Sequence, residues 1–366
     1  MSYRCLVSMS AFAAVMAVLW LASVPAGGQA PAAAATAQSA AATTWTPPRT
    51  PWGEPDLQGV WRYEGGRGSL VTPLERPKEF GARELLTDAE IAQRIQSDKE
   101  TVARKLAGQD GAAVGRRSVE ESPIQGNEYN AFWQETFRES VPFRRTSLIV
   151  GPDGQIPYTP EARKQDAAQA EIEAGRYPTP FYHQSWLEFR VGERCITDGV
   201  QEGLFGGPAG GPSQFMQSPG WLVILHEARN DRSTIPTDGR PHGTVRDWRG
   251  DAVGRWEGDT LVVETTNFLD KSHYRWGRVW TRATETLRLV ERFTRVDANT
   301  IEYRLTIEDP ATFTKPWTVT FPLTKLSVPL VEYACHEGNY GVMHGLSQTR
   351  NLEKAAAEAA KKVPKQ

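Results

Sequence analysis

The chain has 366 residues, of which 39% are hydrophobic, 10% aromatic and 23% charged; this supports a packed core and excludes a disordered chain. Its 42 Lys and Arg nearly balance 44 Asp and Glu, for a net charge of -2, so the basic excess expected of a nucleic-acid partner is missing. The length suits one large domain or two small ones.

In chain order, Arg4, the apolar stretch Leu6 to Ala22 and the small residues after it predict a secretory signal peptide over 1–30, cleaved after Ala26 or Ala30. The competing reading is an uncleaved N-terminal anchor, for which the apolar core is short. Cys5 precedes that core, the wrong side for a lipid-attachment cysteine. No later apolar run is long enough to span a membrane, so the expectation is a periplasmic or secreted protein with no membrane span after cleavage. Residues 31–50, rich in Ala, Thr, Pro and Gln, read as a flexible linker, and 351–366 as a solvated tail. Residues 51–350 between them read as a single β-rich domain with helical insertions.

Within that domain, Asp56-Leu-Gln-Gly-Val-Trp61 predicts an opening strand. Thr87-Asp-Ala-Glu90 is a capping box, in which the Thr hydroxyl and the Glu carboxylate each take a backbone N–H at a helix start. Ile91, Ile95, Val102 and Leu106 continue at helical spacing, and Gly108 is the expected stop. A second helix, with mostly polar faces, is predicted from Thr159-Pro160 to Gly175. From Trp221 to Ala334 the period changes to two. Ile301, Tyr303, Leu305 and Ile307 alternate with polar residues, as do Trp317, Val319, Phe321 and Leu323 with Thr318, Thr320 and Pro322. Turns are marked by Glu257-Gly258-Asp259, Asp297-Ala298-Asn299 and Asp309-Pro310. The expected fold is mainly β, an antiparallel meander closing as a barrel or a two-sheet sandwich, with a few peripheral helices.

Several long blocks together resemble a large group of uncharacterised secreted bacterial proteins. They are Pro51-Trp-Gly-Glu-Pro-Asp-Leu-Gln-Gly-Val-Trp61, Arg144-Arg-Thr-Ser-Leu-Ile-Val150, Gly254-Arg-Trp-Glu-Gly-Asp-Thr-Leu-Val-Val-Glu-Thr-Thr-Asn-Phe268, Glu291-Arg-Phe-Thr-Arg-Val-Asp297, Asp309-Pro-Ala-Thr-Phe-Thr-Lys-Pro-Trp317 and Tyr333-Ala-Cys-His-Glu-Gly-Asn-Tyr-Gly341. The resemblance spans most of 51–350 and implies a secreted protein, but assigns no catalytic residue. Gly59-Val-Trp61 is in addition similar to the Gly-x-Trp on the first strand of lipocalin-like barrels.

Past the leader only Cys195 and Cys335 remain, in a chain expected to reach an oxidising compartment, which predicts a bridge between them. It would close a loop of 139 intervening residues, worth roughly 4–5 kcal/mol in the loop-entropy model. The alternative, a Cys335 nucleophile beside His336, requires a thiolate that survives unpaired outside the cytosol. Without a second cysteine pair no structural zinc site is expected, and the cofactor, if any, is not specified by the residue pattern.

Two His-Glu pairs, His226-Glu227 and His336-Glu337, invite a metal or catalytic reading. Neighbouring side chains on a strand point to opposite faces, so any site must draw single members from different strands. Glu291 shares the inward parity of Leu287, Leu289 and Phe293, and a buried carboxyl must find a partner or stay protonated. The candidate catalytic residues are therefore His226, His336 and Glu291. The candidate ligand-binding residues are Trp221, His242 and Tyr340. The structural alternative is that the histidines are satisfied by carbonyls or carboxylates, and that Glu291 pairs with an Arg across the sheet or is turned out by a bulge.

The Gly-rich stretch Gly203 to Gly211 reads as a connector or a lid; it lacks the ending of a phosphate-binding loop, and no Gly-x-Ser-x-Gly elbow occurs. Two functional classes fit. One is a barrel whose aromatic interior, fed by 12 Trp of which only Trp20 precedes the mature region, holds a small apolar or amphipathic molecule. The other is an extracytoplasmic hydrolase or lyase using His226, His336 and Glu291, with or without a metal.

Overall fold

Alternation of apolar and polar residues produces the central hairpins of the molecule. The structure, a computed structural model, describes residues 45–63, 72–111, 143–165, 167, 185–189, 191–197, 211–270, 273–276 and 279–362. The predicted signal peptide, most of the linker, the end of the helix predicted to Gly175 and all of the Gly-rich loop but Gly211 lie outside these residues.

The strands are β1 (Gly59–Tyr63), β2 (Ser213–Ser218), β3 (Trp221–His226), β4 (Arg232–Pro236), β5 (Asp251–Glu257), β6 (Thr260–Thr266), β7 (His273–Trp276), β8 (Val279–Arg282), β9 (Arg288–Arg295), β10 (Thr300–Glu308) and β11 (Trp317–Leu326). Nine of them form one sheet in the order β4-β3-β2-β1-β11-β10-β9-β6-β5, every pair antiparallel. The β7–β8 hairpin is a separate two-stranded unit inserted between β6 and β9. Followed around the sheet, the strands keep their chain order and β1 pairs with β11, so the seam falls between β4 and β5. There Gly239 N–H donates to Gly254 O at 2.9 Å. A side chain at Gly254 would meet Ile235 and Leu261 at 3.3 Å, so a glycine lets the two edge strands abut. The result is a nearly closed, lipocalin-like up-and-down barrel.

Register explains the core. Across β10 and β11, Ile301 faces Leu323, Tyr303 faces Phe321, Leu305 faces Val319 and Ile307 faces Trp317, and all eight are buried. Each large side chain removed from water in this way stabilises the fold by about 1.5–3 kcal/mol. A chain of rings runs from Tyr63 to Phe321 (4.3 Å), Tyr303 (4.8 Å) and Phe293 (5.1 Å), and on to Phe215 (5.6 Å). Phe215 lies on β2 and Phe293 on β9, which are not neighbours in the sheet, so the last contact crosses the lumen. The aromatic interior is thus filled by the protein's own side chains.

The capping box holds. Thr87 N–H donates to Glu90 Oε2 at 2.8 Å and Glu90 N–H to Thr87 Oγ1 at 3.3 Å, opening α1 (Asp88–Gly111). The helix runs through Gly108, the expected stop, to Gly111: a glycine inside a helix costs only about 1 kcal/mol. The second predicted helix is seen over 160–165, entered through Thr159, whose Oγ1 accepts from Ala162 N–H at 3.1 Å. A further helix, α2 (Gly341–Lys362), contains the stretch that composition reads as a tail, and its residues from 354 to 361 are exposed. Among the described residues no helix is long and apolar enough to cross a membrane. Residues 45–50, the end of the predicted linker, belong to the folded unit: Thr50 is buried, and the Arg295 guanidinium lies 5.8 Å from the Trp45 ring.

Candidate functional site

Two places concentrate chemistry. The first is inside the barrel. His226 ends β3 with the parity of Leu222 and Ile224, as the alternation requires, and is 2% exposed. Its Nδ1 is 2.7 Å from Oγ of Ser213, its register partner on β2. Its Nε2 is 3.2 Å from Arg249 Nη2. A guanidinium can only donate, so Nε2 accepts, Nδ1 carries the ring proton, and Ser213 Oγ accepts from it. Burial first, and the Arg249 charge second, hold the imidazole well below its ordinary pKa. The ring is neutral, and its tautomer is the wrong one for taking a proton from Ser213.

Arg249 organises the rest. Its Nη1 is 3.3 Å from Asp231 Oδ2, which also accepts from Thr197 Oγ1 at 2.7 Å. Burial raises the Asp231 pKa while Arg249 pulls it down. Glu291 on β9 faces inward, as its parity predicts, and no bulge intervenes: Leu305 stands opposite it in register. Its hydrogen-bond partner is not the expected Arg across the sheet. Tyr303 donates its hydroxyl to Glu291 Oε1 at 2.7 Å. Burial pushes both groups up, and for Glu291 it outweighs the Tyr303 hydrogen bond and the Arg249 charge, which pull the other way. His226, Ser233, Arg249, Thr265, Glu291 and Tyr303 line one small space together with apolar neighbours, with a volume of about 30 Å³. That is room for about one water molecule.

The second place is outside, at the disulfide. Cys195 and Cys335 are joined, with Cα atoms 5.7 Å apart, inside the range a bridge requires. The bond ties the turn 191–197 to the stretch before α2. Between these walls lies a pocket of about 510 Å³, within the range typical of small-molecule sites. Phe189, Tyr333 and Val342 give it apolar surface, and Arg229, Asn339 and His344 give it polar groups. Three of the four non-glycine residues with positive φ among the described residues gather here: Cys195 at 55°, Arg229 at 55° and Asn230 at 54°. Asn230 Nδ2 donates to Tyr333 O at 3.4 Å, and Asn339 Nδ2 to Glu193 O at 3.0 Å, joining the walls further. Non-glycine residues held in this region cost about 1–3 kcal/mol each, and such strain clusters where ligands are clamped.

Of the catalytic candidates, His226 and Glu291 meet on the inner space, whereas His336 is exposed beside the disulfide and lines neither space. Of the ligand candidates, Trp221 is 37% exposed at the start of β3 under the Arg240 guanidinium (4.9 Å). His242 sits on a rim loop, Nδ1 3.0 Å from Asp251 Oδ2 and Nε2 3.5 Å from Glu264 Oε1, the carboxylate partnership that was the alternative for these histidines. Tyr340 is exposed and stacked on His344, which lines the outer pocket. The carboxylate of Glu227 accepts from Val331 N–H at 2.9 Å and stays apart from the neighbouring imidazole of His226. Sequence reasoning did not single out Arg249, Asp231, Arg229 or Tyr333. The pattern Arg229-Asn230-Asp231 between two strands was the available hint of a tight turn. Among the described residues no three His, Cys, Asp or Glu side chains gather as a metal site. Compared with protein-family models, curated proteins and solved structures, the chain matches none.

Proposed function

We propose that this chain is an exported barrel protein, a member of the secreted group its motifs resemble, that binds a small amphipathic molecule in the pocket at the Cys195–Cys335 bridge. The observation that carries the reading is the contrast in room: about 510 Å³ at the bridge against about 30 Å³ inside the barrel. The barrel serves as a rigid support and the ligand sits on its flank. A disulfide fits an oxidising compartment, in line with the leader-like first thirty residues.

The enzymatic alternative draws on the meeting of His226 and Glu291. It is the weaker reading, because their shared space admits a water but no organic substrate and because His226 cannot act as a base toward Ser213 in this tautomer. The test is native mass spectrometry of protein purified from the periplasm, with and without Val342→Trp, which fills the pocket. An added small-molecule mass on the parent chain that the variant lacks is the expected result. A variant carrying the same adduct would move the ligand out of this pocket.

A further inference from the structure

We infer that the ligand of this pocket is an amphipathic acid, with an anionic head beside Arg229 and an apolar body against Phe189 and Val342; the inference rests on the pocket being the binding site. Arg229 is set in position in advance of any ligand. Its backbone is left-handed, with φ 55° and ψ 15°. Its Nε donates to Gly192 O at 3.0 Å, and its guanidinium lies 5.5 Å from the Tyr333 ring centre. Gly192 leaves room for this: a Cβ there would come within 3.2 Å of Nη2 and 3.3 Å of Cζ, so the guanidinium would have to shift by a few tenths of an ångström. An arginine fixed on one side by a backbone carbonyl and on the other by an aromatic ring loses little further freedom on pairing with a carboxylate, whose planar geometry its fork matches. Asp231, the acid two residues on, accepts from Thr197 and Arg249 and also feels the Arg229 charge, so part of its carboxylate is engaged away from the pocket.

The opposite wall adds to the same sign. The first turn of α2, a helix of 22 residues, contributes Gly341 and Val342 to the lining and holds no acidic side chain. The positive end of its dipole therefore adds to the charge of Arg229. Among the described residues of the lining the one carboxylate is Glu193, which is exposed.

The test uses the full mature chain, oxidised, with three probes that share a dodecyl tail and differ in their heads: dodecanoate, dodecyltrimethylammonium and dodecyl maltoside, each below its micellar concentration. Isothermal calorimetry at neutral pH should give dodecanoate an affinity at least about tenfold above the other two. Arg229→Gln should remove that margin, Arg229→Lys should restore part of it, and thermal melts of both variants establish that they fold. Should either variant be unfolded, Gly192→Leu, which displaces the guanidinium from outside the β3–β4 turn, takes its place. Equal affinities for the three heads would overturn the acidic class and leave the pocket standing. No binding by any probe would overturn the pocket itself.

Discussion

Tyr303 and Glu291 meet two residues out of register inside the barrel, the phenol donating to the carboxyl at 2.7 Å although Tyr303 stands opposite Phe293 and Glu291 opposite Leu305. A diagonal of this kind is within reach of a long aromatic side chain. Because burial raises the Glu291 pKa, the folded state keeps a proton that the unfolded chain releases above about 4.5. The contribution of this group to stability is therefore complete below that value and declines as pH rises toward the raised one. Glu291→Gln keeps an acceptor for Tyr303 and carries no proton to lose. Urea unfolding at several pH values above 4.5 should show a flatter profile for the variant, and parallel profiles would mean that Glu291 is ionised in the fold.

His226 gives the opposite slope. Its folded pKa lies below the ordinary 6.5, so the unfolded chain takes up a proton first, and stability present above 6.5 is lost as pH falls. The imidazole resonances of His226 should stay those of a neutral, Nδ1-protonated ring from pH 7 down past its ordinary range. In Arg249→Met, with the neighbouring charge removed, the ring should begin to titrate at higher pH than in the parent. A ring that titrates near 6.5 in the parent chain would contradict the Arg249 contact.

Breaking the bridge should be expensive. Cys335→Ser should lower the unfolding free energy by roughly 4–5 kcal/mol on the loop-entropy model, measured in urea without reductant. Dithiothreitol should bring the parent chain to the same value. Free thiols recovered from folded, untreated protein would remove both the bridge and the tie between the pocket walls.

The seam offers a steric test. Gly254→Val introduces methyl groups where a Cβ alone already meets Ile235 and Leu261 at 3.3 Å. Overpacking at such a site costs typically about 1–3 kcal/mol. A melt shifted down for Gly254→Val and little changed for Val245→Ala, on the exposed rim loop, is the expected pair of results.

The barrel was legible where one face of a strand is buried. Ile301 to Ile307 and Trp317 to Leu323 alternate because each strand packs on one side only, and the same parity turns His226 and Glu291 inward. The capping box at Thr87 and the pairing of Cys195 with Cys335 are local or arithmetic features, readable without the fold. The tryptophan and phenylalanine content was legible as an aromatic interior, but not as a filled one, since the Phe215–Phe293 contact depends on how far apart β2 and β9 stand across the lumen. Arg249 and Asp231 come from connecting segments with no period, and their meeting is set by the curvature of the sheet. The pocket walls are separated by more than a hundred residues, and only the disulfide hinted that 191–197 and 333–348 face each other.

The pairing of the first strand with the last governs when the barrel can be completed. Val60 and Trp61 hydrogen-bond with β11 opposite Leu326 and Lys325, so the closing ladder needs nearly the whole chain to have left the ribosome. Contacts this distant in sequence make folding slow, because the entropy of closing the loop is lost before the ladder compensates for it. Until β11 arrives, β1 offers one unpaired edge, and any truncation before Trp317 would leave it open to pairing with another chain.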